Sequence, residues 1–384
     1  METQTRHFNL AKTSSLLVVT SLLAFCLLCS LDAPPAHADF TFGAATNLGP
    51  TVNSEYGDYE ACLSPDGLEL YFCSNRPGGY GGYDIWVTKR ARLEDPWGPP
   101  ANLGPEINTS GWDAPGSLSA DGLVLYMELS SQDIYTTTRA TRDAPWGPRV
   151  NLGPIVNSSY TEALPIVSAD GLELFLSSSR PGGYGNGDIW VSTRATSSDP
   201  WGTPVNLGSA ANSLATIDAP TWISPDGLTL FFFSTDMRPG GFGAVDAWMT
   251  TRAAKGSPWG LPRNLGSSIN TSDAEWITAT SPDGRLCYFC DFGLGVKRYS
   301  PRPDGLGKAD IWQAPILPIV DFNGDAKVDI ADVFVMLEHW HTDYSLCDIG
   351  PFPWGDGFVD AQDLIVLAEH IANNPGDVND VNAL

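Results

Sequence analysis

One unit of roughly 55 residues occurs five times in this chain of 384, and a repeat of that length built from short apolar runs leaves few folds open. Its anchor is Ser-Pro-Asp-Gly or Ser-Ala-Asp-Gly, beginning at Ser64, Ser119, Ser168, Ser224 and Ser281. Each anchor leads into an apolar run such as Leu68 to Phe72, then in most copies a Gly-rich loop. Next comes Asp followed by Ile or Ala and then Trp or Tyr, at Asp84, Asp133, Asp188, Asp246 and Asp310. Four copies continue through Pro-Trp-Gly to Asn-Leu-Gly. The Asp-Gly pair suits a hairpin turn because glycine accepts positive φ. Strand A then ends at the anchor Ser, strand B is the apolar run, strand C is the Asp-Ile-Trp segment and strand D carries Asn-Leu-Gly. Four strands per unit predict the blade of a β-propeller. Residues 42–49 match a strand D with no A to C before it, Phe42 standing where Trp97 stands, and the fifth unit stops after strand C at Ile316. The expectation is an all-β five-bladed β-propeller over residues 39–316, closed by the N-terminal strand so that no edge is left open.

The formal net charge of −24 argues against nucleic acid and anionic membrane as partners. Half of it lies from Asp321 onward, where thirteen acidic residues face the single Lys327. At the other end, Arg6 and Lys12 precede an apolar stretch from Leu16 to Leu31, and Ala36-His37-Ala38 offers a small-x-small cleavage site. Residues 1–38 therefore read as a signal peptide, with the mature chain secreted, periplasmic or at the cell surface and not inserted in a membrane. Five cysteines remain after cleavage: Cys62, Cys73, Cys287, Cys290 and Cys347. The first and fifth repeats become neighbours in a closed ring, so their cysteines are either bridged or buried free thiols.

Residues 321–373 follow a short linker, 317–320, and precede a tail expected to be flexible, 374–384. Asp321, Asn323, Asp325, Asp329 and Asp332 stand at positions 1, 3, 5, 9 and 12 of a loop, with the Lys327 carbonyl at position 7. Calcium takes six to eight oxygens, and this spacing wraps a chain around it. A helix is expected from about Ala331 to Trp340, with Val333, Leu337 and Trp340 on one face. A second copy ends in Asp356, Phe358 (by its carbonyl), Asp360 and Asp363, before a helix over 364–372. Phe352 and Trp354 fall at its positions 1 and 3 and cannot coordinate the ion, so Asp348 substitutes if the segment 349–355 bulges outward. Ala326 takes the glycine position of the first loop.

The anchor and Asp-Ile-Trp motifs resemble the WD40-like (PD40) repeat of TolB-type propellers over residues 39–316. The duplicated acidic loop with its exiting helix resembles a type I dockerin, a small α-helical domain. That second resemblance implies calcium as cofactor and a cohesin-like or cell-surface partner. In that family the residues before position 12 contribute to partner choice, here Ile330-Ala331 and Ala361-Gln362, two unlike pairs.

The propeller segment holds no histidine, which removes Ser-His-Asp and Cys-His catalysis from it. Carboxylates recur instead. An acid stands six residues before each anchor, at Asp58, Asp113, Glu162, Asp218 and Glu275, and the five are expected to ring one mouth of the channel. Asp58, Glu162 and Glu275 are candidates for a glycosidase-like pair. The same acids suit a scaffold role, pairing with Arg76, Arg180 and Arg238 of the B–C loops or capping backbone amides. The loops offer Tyr80, Tyr184 and Phe242 as aromatic tips, and the lengthened fifth loop adds Lys297, Arg298, Tyr299 and Arg302 as ligand candidates. The function expected is an exported, non-catalytic propeller that binds a carbohydrate or protein, carried on a calcium-dependent docking domain. Two alternatives stay open: a carbohydrate-active hydrolase in polysaccharide catabolism, and a structural envelope protein.

Overall fold

The structure is a computed structural model that describes residues 40–373, except 131, 215–216, 236–237, 294–299, 301, 324–326, 343–346, 351–352, 354 and 356–357. Two short strands, β1 (Phe40–Phe42) and β2 (Thr46–Asn47), open the chain. Blade one is β3 (Asp58–Leu63), β4 (Glu69–Ser74), β5 (Asp84–Lys89) and β6 (Ala101–Asn102). Blade two is β7 (Asp113–Leu118), β8 (Val124–Leu129), β9 (Asp133–Thr138) and β10 (Val150–Asn151). Blade three is β11 (Glu162–Val167), β12 (Glu173–Ser178), β13 (Asp188–Thr193) and β14 (Val205–Asn206). Blade four is β15 (Asp218–Ile223), β16 (Thr229–Ser234), β17 (Asp246–Thr251) and β18 (Arg263–Asn264). Blade five is β19 (Ala274–Thr280), β20 (Leu286–Phe292) and β21 (Ala309–Pro318), with β1 and β2 added outside β21. The first strands of the five blades neighbour one another in a closed ring, β19 returning to β3. The molecule is a five-bladed β-propeller.

The anchor works as a turn for a physical reason. Gly67 adopts φ +72, and Ser64 Oγ donates to Asp66 while accepting the Glu69 N–H at 2.9 Å. The Asp of Asp-Ile-Trp caps the loop before it: Asp84 accepts the N–H groups of Tyr80 and Gly81 and the side chain of Asn102 from strand D. Asn47 does the same for the ring as a whole, donating to Asp310 at 3.0 Å across the closure. Beside it Asn53 bonds both the N–H and the carbonyl of Ile311, at 2.8 and 2.9 Å. Phe40 and Phe42 bury their rings with Phe289 and Trp312.

Some expectations change in detail. Strand β21 runs two residues past Ile316, and Val320 already belongs to the C-terminal core, so little linker is left. All five described cysteines are free and buried, which excludes the inter-blade disulfide alternative in this structure.

The C-terminal segment has two helices, α1 (Ile330–Glu338) and α2 (Ala361–Asn373), over a core of Val320, Phe322, Met336, Cys347, Ile349, Val359 and Leu367. Val333 and Trp340 face that core, but Leu337 does not: it is exposed together with Ile330 and Phe334, one turn apart along α1.

Asn53→Ala removes two buried backbone partners at the closure and is expected to cost about 1–3 kcal/mol in urea unfolding. Thr46→Ala, on the exposed side of the same closure, should stay within about 0.5 kcal/mol.

Candidate functional site at the mouth of the central channel

The five repeated acids are placed by the first residues of the inner strands, and they face into the blades. Asp58, Asp113, Glu162, Asp218 and Glu275 have no exposed surface. Asp58 accepts the Ser54 N–H at 2.6 Å and Arg76 Nη2 at 2.5 Å; Arg76 also donates to the Val52 carbonyl and lies over the rings of Phe72 and Trp86. Arg180 repeats this with Glu162 at 3.0 Å and Arg238 with Asp218 at 2.9 Å. Of the two roles open to these acids, a ring at the channel mouth and pairing with the B–C arginines, the structure has the second in blades one, three and four, where the arginine folds inward and the carboxylate is enclosed. Asp58, Glu162 and Glu275 are therefore not brought together as an exposed pair. The arginines Arg76, Arg180, Arg238 and Arg302 are likewise spent inside the blades.

Blade five is looser. Arg302 stands 3.8 Å from Asp291 and donates to the Ile269 carbonyl, leaving one guanidinium between two acids. Burial pushes Glu275 up to about 7 and Asp291 up to about 6. In blade two the B–C loop is missing and no arginine reaches Asp113; Thr109 Oγ1 and the Ser130 N–H take its place, at 2.7 and 3.2 Å. Of the loop aromatics, Tyr80, Tyr184 and Phe242 are exposed. Lys297, Arg298 and Tyr299 lie outside the described residues.

What opens to solvent is different. A cavity of about 430 Å³ at the B–C end of the channel is lined by Tyr59, Glu60, Tyr83, Trp112, Trp276, Phe292 and Lys308. Tyr59 is its hub. Its ring centroid lies 5.5 Å from Tyr83, 5.6 Å from Trp112, 5.8 Å from Phe292 and 6.4 Å from Trp276, the last pair being parallel. The Tyr59 hydroxyl donates to Tyr83. Tyr83 and Trp112 come from adjacent blades joined by an isolated parallel bridge, and their rings are 4.1 Å apart. The result is an aromatic bowl drawn from blades one, two and five.

Glu60 lines both this bowl and the narrow waist beneath it, where Gly116, Leu164 and Thr221 close in. Its backbone is left-handed, φ 50, at the bulge that interrupts the β3–β4 register. The residue is half-buried. Burial, and next the neighbouring Glu128, hold its pKa well above the ordinary carboxylate range, while Trp112 hydrogen-bonds it. Glu128 is buried, accepts the Leu164 N–H at 2.9 Å, and is raised by burial to about 7. Among the described residues neither acid takes part in an ion pair.

Sequence reasoning passed over this cluster, although the signal is present. The residue after the repeated acid is Ala114, Ala163 or Ala219 in three blades, but Tyr59 and Trp276 in blades one and five. The next place holds Pro115, Leu164, Pro220 and Ile277, and only Glu60 is charged there.

In the C-terminal segment the two loops are built alike. Asp332 accepts the N–H groups of Phe322, Asn323 and Asp329; Asp363 accepts those of Ile349, Gly350 and Asp360. Asp348 therefore occupies in the second loop the place of Asp321 in the first. The second loop runs sixteen residues, Asp348 to Asp363, against twelve for Asp321 to Asp332. The segment between Asp348 and Asp360 absorbs the difference. Asp325 and Asp356 lie outside the described residues, and Phe358 is exposed. Among the described residues no group of three or more His, Cys, Asp or Glu side chains is poised around a common point.

No family model and no curated protein matches the chain. Among solved structures it is similar to the catalytic domain of the GH62 α-L-arabinofuranosidase of Coprinopsis cinerea, at 13% identity and TM-score 0.46, over 74% of this chain and 98% of that one. A protein described as a TolB of Agrobacterium tumefaciens gives 17% identity and TM-score 0.39, over 73% and 91%. A thermostable family-43 glycoside hydrolase gives 12% and 0.43, over 71% and 92%. Likeness at this distance carries no argument about chemistry; the class, a five-bladed propeller with an aromatic bowl at one end of its channel, rests on the chain's own geometry.

Two measurements test this site's energetics. Arg76→Met leaves Asp58 buried without its cation and is expected to cost about 3–5 kcal/mol in urea unfolding, while Tyr80→Ala stays within about 0.5 kcal/mol. Glu128 holds its proton to about pH 7 when folded, against an ordinary value of 4.5. The folded state then binds the extra proton, so stability falls as pH rises from 4.5 through about 7 and is level above. Glu128→Gln should flatten part of that fall.

Proposed function

We propose that this chain is an exported carbohydrate-binding propeller whose site is the aromatic bowl at the B–C end of the channel. The observation that carries the reading is the bowl itself: five rings around a cavity of about 430 Å³, with a carboxyl at its base that has no counter-ion among the described residues. Sugar rings present flat C–H faces to aromatic rings and hydroxyls to a few fixed polar groups, and the cavity lies in the size range of small-ligand sites. The hydrolase alternative built on Glu162 and Glu275 has both carboxyls enclosed and hydrogen-bonded inside their blades.

The C-terminal segment is proposed to be a dockerin-like module that binds calcium and docks onto a cohesin-like or cell-surface partner. The donor set supports the ion: Asp321, Asn323, Asp329 and Asp348 are hard oxygen ligands on two duplicated loops. The exposed stripe of Ile330, Phe334 and Leu337 supports docking, being an apolar helix face left exposed among the described residues.

A panel of polysaccharides, screened for binding by affinity electrophoresis and for release of reducing ends, tests the first reading. Binding without release is expected. Trp112→Ala should weaken the best binder by about tenfold or more, roughly the 1–2 kcal/mol of an aromatic contact. No binding to any polymer, or binding untouched by Trp112→Ala, would sink it.

Chelation tests the second. EDTA is expected to abolish the helical signal of residues 321–373 and to leave the propeller's melting transition in place. Retention of that helical signal without calcium would count against the module being calcium-dependent.

A further inference from the structure

Glu60 is the one ionisable side chain that lines both the bowl and its floor. Resting on the carbohydrate reading above, we infer that Glu60 is the specificity-determining residue of the bowl, binding in its protonated form as a hydrogen-bond donor to an uncharged, hydroxyl-bearing sugar ring.

Four observations lead there. Glu60 is the single charged residue at its place in the repeat, at a strand bulge whose left-handed backbone Leu164 shares in blade three, so the bulge common to the blades here turns a carboxyl toward the channel. It lines the bowl and the waist together, the position at which an occupant of the cavity meets the channel floor. Among the described residues no cation pairs with it: Lys308 lines the rim but is exposed, and Arg76 and Arg302 are committed inside the blades. The groups that face it raise its affinity for a proton. Glu128 stands near it from β8, with Asp113 acting on Glu128 in turn; the Cys73 thiol, 4.0 Å away on β4, and Cys290 on β20 are held neutral by burial and bring no positive charge to it. Asp58 adds negative charge near Cys73, and Tyr59 and Tyr83 are phenols whose own pKa values are pushed upward. Burial and a neighbouring carboxylate favour the protonated form of such an acid, which offers an O–H to a sugar oxygen, with Trp112 hydrogen-bonding its carboxyl. Glu128 acts as a positioning residue: it keeps Glu60 protonated without touching the ligand.

The same chemistry sets what is refused. A ligand cation, which aromatic cages otherwise favour, gains no ion pair from Glu60 in its protonated form. A sugar is bound by the acid as it stands.

The experiment measures binding of neutral β-linked tetrasaccharides (gluco, manno, xylo and galacto) to the full mature chain by tryptophan fluorescence between pH 5.5 and 8.5. A tri-uronate and tetramethylammonium serve as charged probes. For the wild type, affinity for the tetrasaccharide that binds best should be level at low pH and then fall, by up to roughly tenfold per pH unit once Glu60 ionises. Glu60→Gln keeps a neutral N–H donor at the same place and should retain the low-pH affinity while losing the pH dependence. Glu128→Gln removes the like charge and should move the fall to lower pH, a shift that a merely structural role would not give. Glu275 and Asp291 titrate in the same window but lie inside blade five, so a fall that survives Glu60→Gln belongs to them and overturns the inference. A level wild-type profile, or tetramethylammonium binding more tightly than every saccharide, also overturns it. Tetrasaccharide binding that ignores pH removes this inference and leaves the carbohydrate reading standing. No saccharide binding at any pH removes both.

Discussion

The interaction on which the blades depend is a buried carboxylate held by an arginine that itself lies on aromatic rings. In blade one, Asp58, Arg76, Phe72 and Trp86 form one such stack, tying the start of the inner strand to the loop between its neighbours. Removing two charges from water is costly, and the cost is met only when geometry and extra hydrogen bonds are good. Here the arginine also binds the Val52 carbonyl, and the aspartate takes the Ser54 N–H and hydroxyl. Each blade can therefore be rigid at its upper end with only a two-residue outer strand. The stack also explains why an acid, an arginine and a tryptophan recur together at distant places in blades one, three and four.

A scaffold built this way separates structure from recognition cleanly. Charges that repeat are consumed within the blades, and what projects into the channel is free to vary. Variation is concentrated where blades one, two and five meet: Tyr59, Trp112 and Trp276 stand where the other units have small or aliphatic residues, and Glu60 and Glu128 supply carboxyls that have no ion-pair partner among the described residues. These residues stabilise the ring less well than alanine, proline and serine would, since two acids are held close together in an apolar setting. Local rules broken at one place in an otherwise consistent repeat mark that place as selected for something other than stability.

Much of the fold could be read from the chain alone because each motif has one physical task. Asp-Gly after Ser makes the turn, Asp before Ile-Trp caps the loop, and Asn-Leu-Gly closes each blade, so five copies and a displaced outer strand define the ring. The site was harder to read, for a specific reason. Attention to what recurs finds Asp58, Glu162 and Glu275, which are conspicuous because the scaffold needs them in every blade. Tyr59 and Glu60 are the next two residues, and nothing in their own spacing marks them. Only the comparison of equivalent places across units does. The helical face was misjudged at Leu337 because periodicity gives a face its composition, not its partner: Ile330, Phe334 and Leu337 are as regular as Val333 and Trp340, yet only the latter two meet a core.

The C-terminal loops show the same logic on a smaller scale. In sequence, Phe352 and Trp354 look like replacements of ligands by aromatics. The hydrogen bonds show an insertion instead: Ile349 and Gly350 bond Asp363 as Phe322 and Asn323 bond Asp332, which carries Asp348 to the place of Asp321. Spacing alone counts residues, whereas a buried carboxylate that gathers backbone amides fixes equivalence in space. With Asp348 in that place, the duplication keeps a carboxylate at the head of both loops, and the longer second loop differs from the first in its middle, not in its ends.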